Sequence, residues 1–170
     1  MMFYSDLTDK LKMASKRKDI ILFLKDAFAS IHTEPEVFHV IENGEDEFVR
    51  RLDRLTGDTL VISAIDPNYK DGNRPNKLKM YSVDFWILRH LGDNTDDAKM
   101  QDLSEALEEK GDALLDYIQD FKKSKNQNSE AFIDSFLKDF RMEETEITWS
   151  ANFWDSWYGY LYTIKIYTSK

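Results

Sequence analysis

The stretch that decides the fold is MQDLSEALEEKGDALLDYIQDF, residues 100–121. Its apolar residues recur at steps of three, four and seven, which is typical of one face of an α-helix. These residues are Met100, Leu103, Leu107, Leu114, Ile118 and Phe121. Gly111 falls on the same stripe, where glycine costs a helix about 1 kcal/mol relative to alanine, and it predicts close approach to another element. A helix with one apolar stripe must bury that stripe against a second layer.

Two strand patterns lie upstream of this helix and help to supply that layer. Residues 59–65 are rich in β-branched side chains, and residues 78–91 alternate between two faces. The loop at 66–77 joins them. We therefore predict a long β-hairpin, or a neighbouring antiparallel pair, over residues 58–91.

The end of the chain is also predicted to be β. Residues 158–167 alternate cleanly and residues 144–149 alternate weakly, so we predict two strands within residues 143–168. The segment at 152–157 is dense in aromatic side chains and is predicted to be a loop or bulge. Because no repeat or flexible linker divides residues 1–170, we predict one α+β domain. Its four-stranded, mainly antiparallel sheet is backed by the long helix.

The N-terminal part of the chain, residues 1–57, is predicted to be mostly helical. Two helical stretches run up to Ile31, and a short extended piece follows at 36–41. A further helix is predicted from Glu45 to Leu55. Acidic residues fill its first turn and arginines its later turns, which the helix dipole favours.

Residues 95–141 are predicted to form two helices. Asn94 or Thr95 can cap the long helix, because their side chains accept hydrogen bonds from free backbone N–H groups. Ser129 can cap a shorter helix in the same way. The shorter helix carries a set of large apolar residues: Phe132, Phe136, Leu137 and Phe140.

Composition limits the classes of function. The 170 residues include 32 acidic and 23 basic side chains, giving a net charge of −9, and 42% are hydrophobic. This apolar content excludes a disordered tail, and the acidic balance argues against a protein whose main task is to neutralise phosphates. The lack of cysteine excludes disulfides, thiolate metal sites and a cysteine nucleophile.

No apolar run has the roughly 18 residues of a membrane span, and residues 1–18 lack a secretory signal, so we expect a cytoplasmic protein.

No motif for catalysis or metal binding occurs. His32, His39 and His90 have no partner at the short spacings typical of metal sites, and a hydrogen-bonded or solvent-facing imidazole accounts for each. The sequence has neither a Gly-x-Ser-x-Gly nucleophile elbow nor a glycine-rich phosphate loop. The loop at 66–73 lacks the spacing of a calcium site. We therefore predict no enzyme activity, no cofactor and no metal.

Two groups of residues leave alternatives open. The C-terminal aromatic residues are best explained as part of the core. A protein interface is the second alternative, and a platform on which bases or sugars stack is the third. These aromatic residues are Trp149, Trp154, Trp157, Tyr158, Tyr160 and Tyr162. The basic residues between positions 10 and 18 suit a solvated helix face, or else a contact with nucleic acid or a partner.

Three short segments of the sequence resemble those of a known family. They are FHVIENGEDEF at 38–48, TLVISAIDP at 59–67 and NFWDSWYGYLY at 152–162. The first is an extended piece and a glycine turn before an acidic helix, the second a strand that runs into the hairpin, and the third a loop that enters the last strand. Together with the order of the elements, they resemble small structural proteins of tailed bacteriophages, namely the tail-terminator, tail-completion and neck proteins.

The resemblance implies a role in assembly without covalent chemistry. Such proteins are α+β subunits of a ring, commonly six-fold, which ends tail-tube growth or joins the tail to the head. It implies a homo-oligomer that contacts other neck or tail proteins and resides in the virion after assembly in the bacterial cytoplasm. Exposure arguments then place candidate contact residues in the long loop and in the aromatic segment: Asn68, Tyr69, Lys70 and Arg74, and Phe153, Trp154, Trp157 and Tyr158.

The net negative charge adds an expectation about such a ring. If acidic side chains line its channel, DNA passes through without adhering, because like charges repel. The N-terminal helical region, residues 1–31, is longer than a minimal subunit needs, so the resemblance does not choose between a terminator and a neck ring. The alternative expectation is a small acidic protein without enzymatic activity that binds or regulates a partner as a monomer or dimer.

Overall fold

The computed structural model describes residues 2–32, 38–68, 78–92, 96–127 and 137–169. Within these ranges the helices and strands alternate in an α+β arrangement, which confirms the predicted fold class. The helices are α1 (Met2–Ile31), α2 (Glu45–Arg51) and α3 (Asp97–Gln127). The strands are β1 (His39–Ile41), β2 (Thr59–Asn68), β3 (Leu78–His90), β4 (Leu137–Phe140), β5 (Glu146–Trp154) and β6 (Trp157–Ser169). No helix of the described part is long and apolar enough to cross a bilayer.

One sheet contains all six described strands, in the order β1-β2-β3-β6-β4, and β5 also pairs with β6. The prediction of four strands was therefore wrong. β1 and β2 are parallel, whereas all the other pairs are antiparallel. β6 is long enough to hold two strands along the same side. β4 pairs with its end at Ile166–Thr168, and β5 pairs with the part from Trp157 to Thr163.

α1 and α3 lie together on one face of the sheet and form the main core with it. The ring of Phe23 lies 4.8 Å from that of Phe121, while His32 contacts Lys110, so the two helices run antiparallel. This core includes Leu24, Phe28, Leu107, Leu114, Ile62, Val83, Phe85 and Ile164. The predicted apolar stripe of the long helix therefore faces the sheet.

α2 covers part of the opposite face and forms a second, smaller core. Its buried members are Ile41, Phe48, Leu55, Val61, Trp86, Leu88 and Trp157. The indole nitrogen of Trp86 donates a hydrogen bond to Glu45 Oε1 at 3.0 Å. Both faces of β3 are therefore covered, one by α1 and α3 and the other by α2. The face toward α2 carries the apolar residues Trp86 and Leu88, whereas a solvated face would carry polar residues.

Gly111 marks the closest approach of α3 to the sheet, as its place on the stripe predicted. A Cβ atom at this position would overlap the Tyr162 hydroxyl and would lie 3.1 Å from Tyr162 Cε1. The Tyr162 ring is itself fixed, because it stacks on Phe85 with a centroid distance of 5.3 Å and an interplanar angle of 9°. Glycine is needed at this position for space.

Three local predictions were wrong. α1 is one continuous helix where two stretches were predicted. The cap of α3 is Asp96, whose Oδ1 accepts the backbone N–H of Lys99 at 2.8 Å; Asn94 and Thr95 lie outside the described residues. Leu137–Phe140 is a strand where a helix was predicted, because pairing with β6 buries both Leu137 and Phe140. The rest of that predicted helix, at 129–136, lies outside the described residues.

Tyr160 and Tyr162 provide a matched pair for a stability prediction. The Tyr162 hydroxyl is buried and has no hydrogen-bond partner among the described residues, whereas the Tyr160 hydroxyl lies 2.7 Å from Ser104 Oγ. A buried hydroxyl without a partner costs about 1–3 kcal/mol, and a hydrogen bond contributes about 1 kcal/mol. We therefore expect Tyr162→Phe to raise the free energy of unfolding by about 1 kcal/mol and Tyr160→Phe to lower it by a similar amount. Urea denaturation of both variants checks this, and a loss of stability in Tyr162→Phe would contradict it.

Candidate functional site

A buried polar cluster joins three elements of the main core, and the carboxylate of Asp58 lies at its centre. The Asp58 side chain is 0% exposed. Its Oδ1 accepts a hydrogen bond from Arg89 Nε at 2.5 Å, and its Oδ2 accepts one from Arg89 Nη2 at 2.9 Å. Lys110 Nζ also contacts Oδ2. One carboxylate, just before β2, therefore holds an arginine of β3 and a lysine of α3.

His32 completes the cluster at the end of α1. Its Nδ1 lies 3.3 Å from Lys110 Nζ, and its ring centroid lies 4.9 Å from that of Phe38. An ammonium group has only donors, so Nδ1 must accept this hydrogen bond.

The charges of the cluster explain the protonation state of Asp58. Burial alone would raise the pKa of Asp58, because a carboxylate loses hydration in the interior. Hydrogen bonds and charge from Arg89 and Lys110 outweigh this effect and hold the pKa below its ordinary value. Asp58 is therefore ionised at neutral pH, and it is paired with both Arg89 and Lys110.

The cluster has the residue types of an acid–base site but not the accessibility. A carboxylate, an imidazole and an amine lie within one network, yet the side chains of Asp58 and Lys110 are 0% and 8% exposed. A substrate would have to displace the core to reach them. The network is suited to holding β2, β3, α3 and the end of α1 in register, so we assign it to the stability of the fold.

The sequence contained a signal for this cluster, which the motif analysis missed. Arg89 continues the alternation of Phe85 and Ile87 on the core face of β3. Lys110 follows Leu107 by three residues on the buried stripe of α3. A charged residue at a position whose spacing predicts burial requires a partner inside the protein.

The predicted contact residues of the long loop lie mostly outside the described part. Asn68 is the last residue of β2, where its backbone pairs with Met80. Strand β2 therefore runs three residues beyond the predicted end at Ile65. Tyr69, Lys70 and Arg74 lie outside the described residues, so their role as contact residues stays a prediction.

The aromatic segment divides between core and surface. Phe153 packs its ring 4.5 Å from Trp86, and Trp157 packs 5.1 Å from Phe48. Trp157 is only 2% exposed, so its assignment to a contact surface was wrong: it belongs to the smaller core. Trp154 is 49% exposed.

The aromatic segment forms the hairpin that connects β5 to β6. Tyr158 is partly buried against the main core. The register of β5 and β6 shifts between Ser150 and Trp154, which confirms a bulge in this region. Asp155 and Ser156 close the hairpin with positive φ angles of 37° and 65°, as a type I′ turn requires. Trp154 is therefore presented at the end of a short turn.

The two outer edges of the sheet lie on opposite sides of the molecule. β1 ends the strand order on one side, and β5 lies on the outer side of β6 on the other. Neither has a second strand partner among the described residues. On β5, Glu146, Ile147 and Thr148 are exposed, and Ile147 reaches 47%. An edge strand of this kind presents backbone N–H and C=O groups that can pair with another strand.

The remaining histidines lie in β1 and at the end of β3. His39 lies in β1, and its Nε2 is buried without a hydrogen-bond partner among the described residues. His90 ends β3, with its ring 5.5 Å from that of Trp157. Across the described ranges, no three His, Asp or Glu side chains come together in a way that could hold a metal ion.

The lowered pKa of Asp58 predicts how stability depends on pH. In the unfolded chain this carboxyl titrates near its ordinary value of 3.8, and in the folded protein it titrates lower. Its contribution is therefore present above about pH 4 and is lost as pH falls through the folded-state value. We expect the stability difference between the wild type and Asp58→Asn to shrink as pH decreases from 5 to 2. Chemical denaturation across this range measures it, and a constant difference would contradict the assignment.

Comparison of the sequence with known proteins returned no assignment. No model of a protein family matches the chain. A search of curated proteins also gives no match. The geometry of the described residues and the resemblance to phage proteins are therefore the basis for any functional proposal.

Proposed function

We propose that the protein is a structural subunit of a tailed-bacteriophage virion that associates head to tail with copies of itself into a ring. The ring would lie at the neck or at the upper end of the tail, where it would act in assembly without covalent chemistry. The observation that carries the proposal is the pair of sheet edges, β1 and β5, which lie on opposite sides of one subunit and have no further strand partner within the described ranges. Two different surfaces that bind each other generate a closed ring when the rotation between copies closes.

The location of the reactive side chains supports a structural role. Asp58, Lys110 and His32 are the described groups that most resemble an acid–base set, and their network serves the core. By contrast, two of the three exposed large hydrophobic side chains of the described part, Ile147 and Trp154, lie on β5. Exposed apolar side chains on an edge strand favour a protein contact.

The net charge of −9 fits a ring around a DNA channel. Acidic side chains on the channel wall would repel the phosphate backbone and let DNA pass without binding. In an assembled ring, acidic residues confined to the outer wall would rule out this role for the charge. That result would leave the proposal of a ring standing.

Location in the particle tests the proposed role. We expect a tag on this chain to appear by electron microscopy as a ring-shaped density at the neck or the upper tail end of purified virions. A tag found only in soluble host extract, and never in particles, would contradict the proposal. Particles that carry the untagged chain serve as the control for the added density.

A second candidate function is a binding or regulatory protein that acts as a monomer or dimer. The observation in its favour is Trp154, which is 49% exposed next to a turn that holds two residues at positive φ. Such a turn can present one aromatic side chain to a partner. Mass in solution separates the two candidates, because this one predicts no oligomer larger than a dimer.

A further inference from the structure

We infer that β5 of one subunit pairs in antiparallel fashion with β1 of the next copy, so that the sheet continues from subunit to subunit. This inference rests on the proposed function, since it names the contact that would build the ring. Its occupant is a second copy of this chain. Strand directions, the faces of the two edges and the charges beside them each support the pairing.

The directions of the strands fix the sense of the contact. β2 runs parallel to β1, β3 runs opposite to β2, β6 opposite to β3, and β5 opposite to β6. β1 and β5 of one subunit therefore run in opposite directions. A rotation about an axis along the strands preserves these directions, so β5 meets the β1 of its neighbour in antiparallel orientation.

The two faces of the sheet limit the possible registers. Val40 is opposite Leu60 on the face covered by α1 and α3, and Trp149 is opposite Tyr160 on the same face. Ile147 shares this face because it lies two residues from Trp149. A continuous sheet keeps this face on one side, so Val40 must lie opposite an odd-numbered residue of β5.

The regular part of β5, before its register shift, offers two such residues, Ile147 and Trp149, and apolar pairing and charge select one of them. With Val40 opposite Ile147, Phe38 faces Trp149, and the exposed Ile147 side chain gains an apolar neighbour. In the register shifted by two residues, Val40 faces Trp149 and Ile147 instead faces Glu42. The carboxylate of Glu42 is held by Lys25 at 2.6 Å, so that register would place an ion pair beside an apolar side chain.

The opposite shift is excluded by the length of β5. It would place Val40 opposite Thr145, which precedes the first residue of β5, and Ile41 opposite Glu144. Ile41 faces a glutamate in either case, Glu144 in this register and Glu146 in the proposed one, so the length of β5 alone separates the two. The register with Val40 opposite Ile147 keeps all three residues of β1 opposite residues of β5.

Because the chain has no cysteine, introduced thiols report this contact without background. We would mix Val40→Cys with Ile147→Cys under conditions in which the wild type is oligomeric, add a short thiol-to-thiol crosslinker, and separate the products on a denaturing gel. We expect a crosslinked dimer in the mixture and at least tenfold less from either variant alone. Leu22→Cys replaces Ile147→Cys in the matched control, because Leu22 is a 55% exposed apolar residue on α1 outside the proposed contact.

A second pair of cysteine variants, on the other face of the two strands, keeps the test valid if a variant of the first pair fails to fold. His39→Cys mixed with Thr148→Cys should give the same product, since these residues are opposite in the proposed register. Crosslinking of Ile147→Cys alone would show a symmetric β5–β5 contact and overturn the inference. Crosslinking no stronger than that of the Leu22→Cys control, while the wild type is oligomeric, would overturn the inference and leave the proposed function standing. A wild type that stays monomeric would overturn both.

Discussion

Replacing Asp58 with alanine is expected to lower the free energy of unfolding by about 3–5 kcal/mol, because removal of one partner from a buried ion network leaves the other charges poorly compensated. Arg89 loses two hydrogen bonds, and the 8% exposed Lys110 loses its ion pair with Asp58. The effect is comparable with the whole stability of a small domain, so partial unfolding at room temperature is expected. Urea denaturation followed by circular dichroism measures it.

Lys25→Ala is the matched control for this prediction. Lys25 forms an equally close ion pair with Glu42, at 2.6 Å, but both side chains are about 40% exposed. Exposed pairs of this kind contribute about 0–1 kcal/mol, because water screens the charges. A similar loss in Lys25→Ala and Asp58→Ala would show that burial is not the cause and would contradict the assignment of the cluster.

Gly111→Ala is the second substitution with a large expected effect. It is expected to lower the free energy of unfolding, although helix propensity alone would raise it. Alanine favours a helix by about 1 kcal/mol over glycine, so an unconstrained site would gain stability. Here the new Cβ atom would overlap the hydroxyl of Tyr162, whose ring is held against Phe85. Overpacking of this kind costs about 1–3 kcal/mol, so after the gain of about 1 kcal/mol in helix propensity we expect a net loss of up to about 2 kcal/mol. Thermal and urea denaturation of the variant test the sign directly.

A double variant identifies Tyr162 as the cause of that loss. Gly111→Ala combined with Tyr162→Leu should cost less than the sum of the two single changes, because the shorter side chain removes the overlap. Gly92→Ala is the control, since a Cβ at Gly92 meets nothing within 4 Å. A gain of stability in Gly111→Ala, or simple additivity in the double variant, would show that α3 and β6 are not in contact at this point.

The elements with strong periodicity could be predicted from the sequence. The stripe from Met100 to Phe121 lies within α3, and the alternation at 78–91 corresponds to β3. The close approach at Gly111 could be predicted because glycine is costly inside a helix, so its place on a buried stripe indicates that space is limiting there. These features depend on local spacing, which a single sequence displays.

The features that were missed depend on contacts between distant segments. Leu137–Phe140 follows a helical spacing, but pairing with β6 determines its structure. Strand β1 lies within the extended piece predicted at 36–41, but its place in the sheet was missed because it depends on a parallel partner. The charged cluster joins His32, Asp58, Arg89 and Lys110, which are far apart in the chain, so only their burial pattern could indicate it. Contact residues in the loop at 69–77 lie outside the described residues.

The most direct test of the central claim is the mass of the wild-type protein in solution as its concentration rises. The claim is that the protein works through association of its two sheet edges with copies of itself. Sedimentation equilibrium is therefore expected to show a discrete species with more than two subunits, and six is the number that the phage resemblance implies. A protein that forms nothing larger than a dimer at every concentration up to the limit of its solubility would contradict the account.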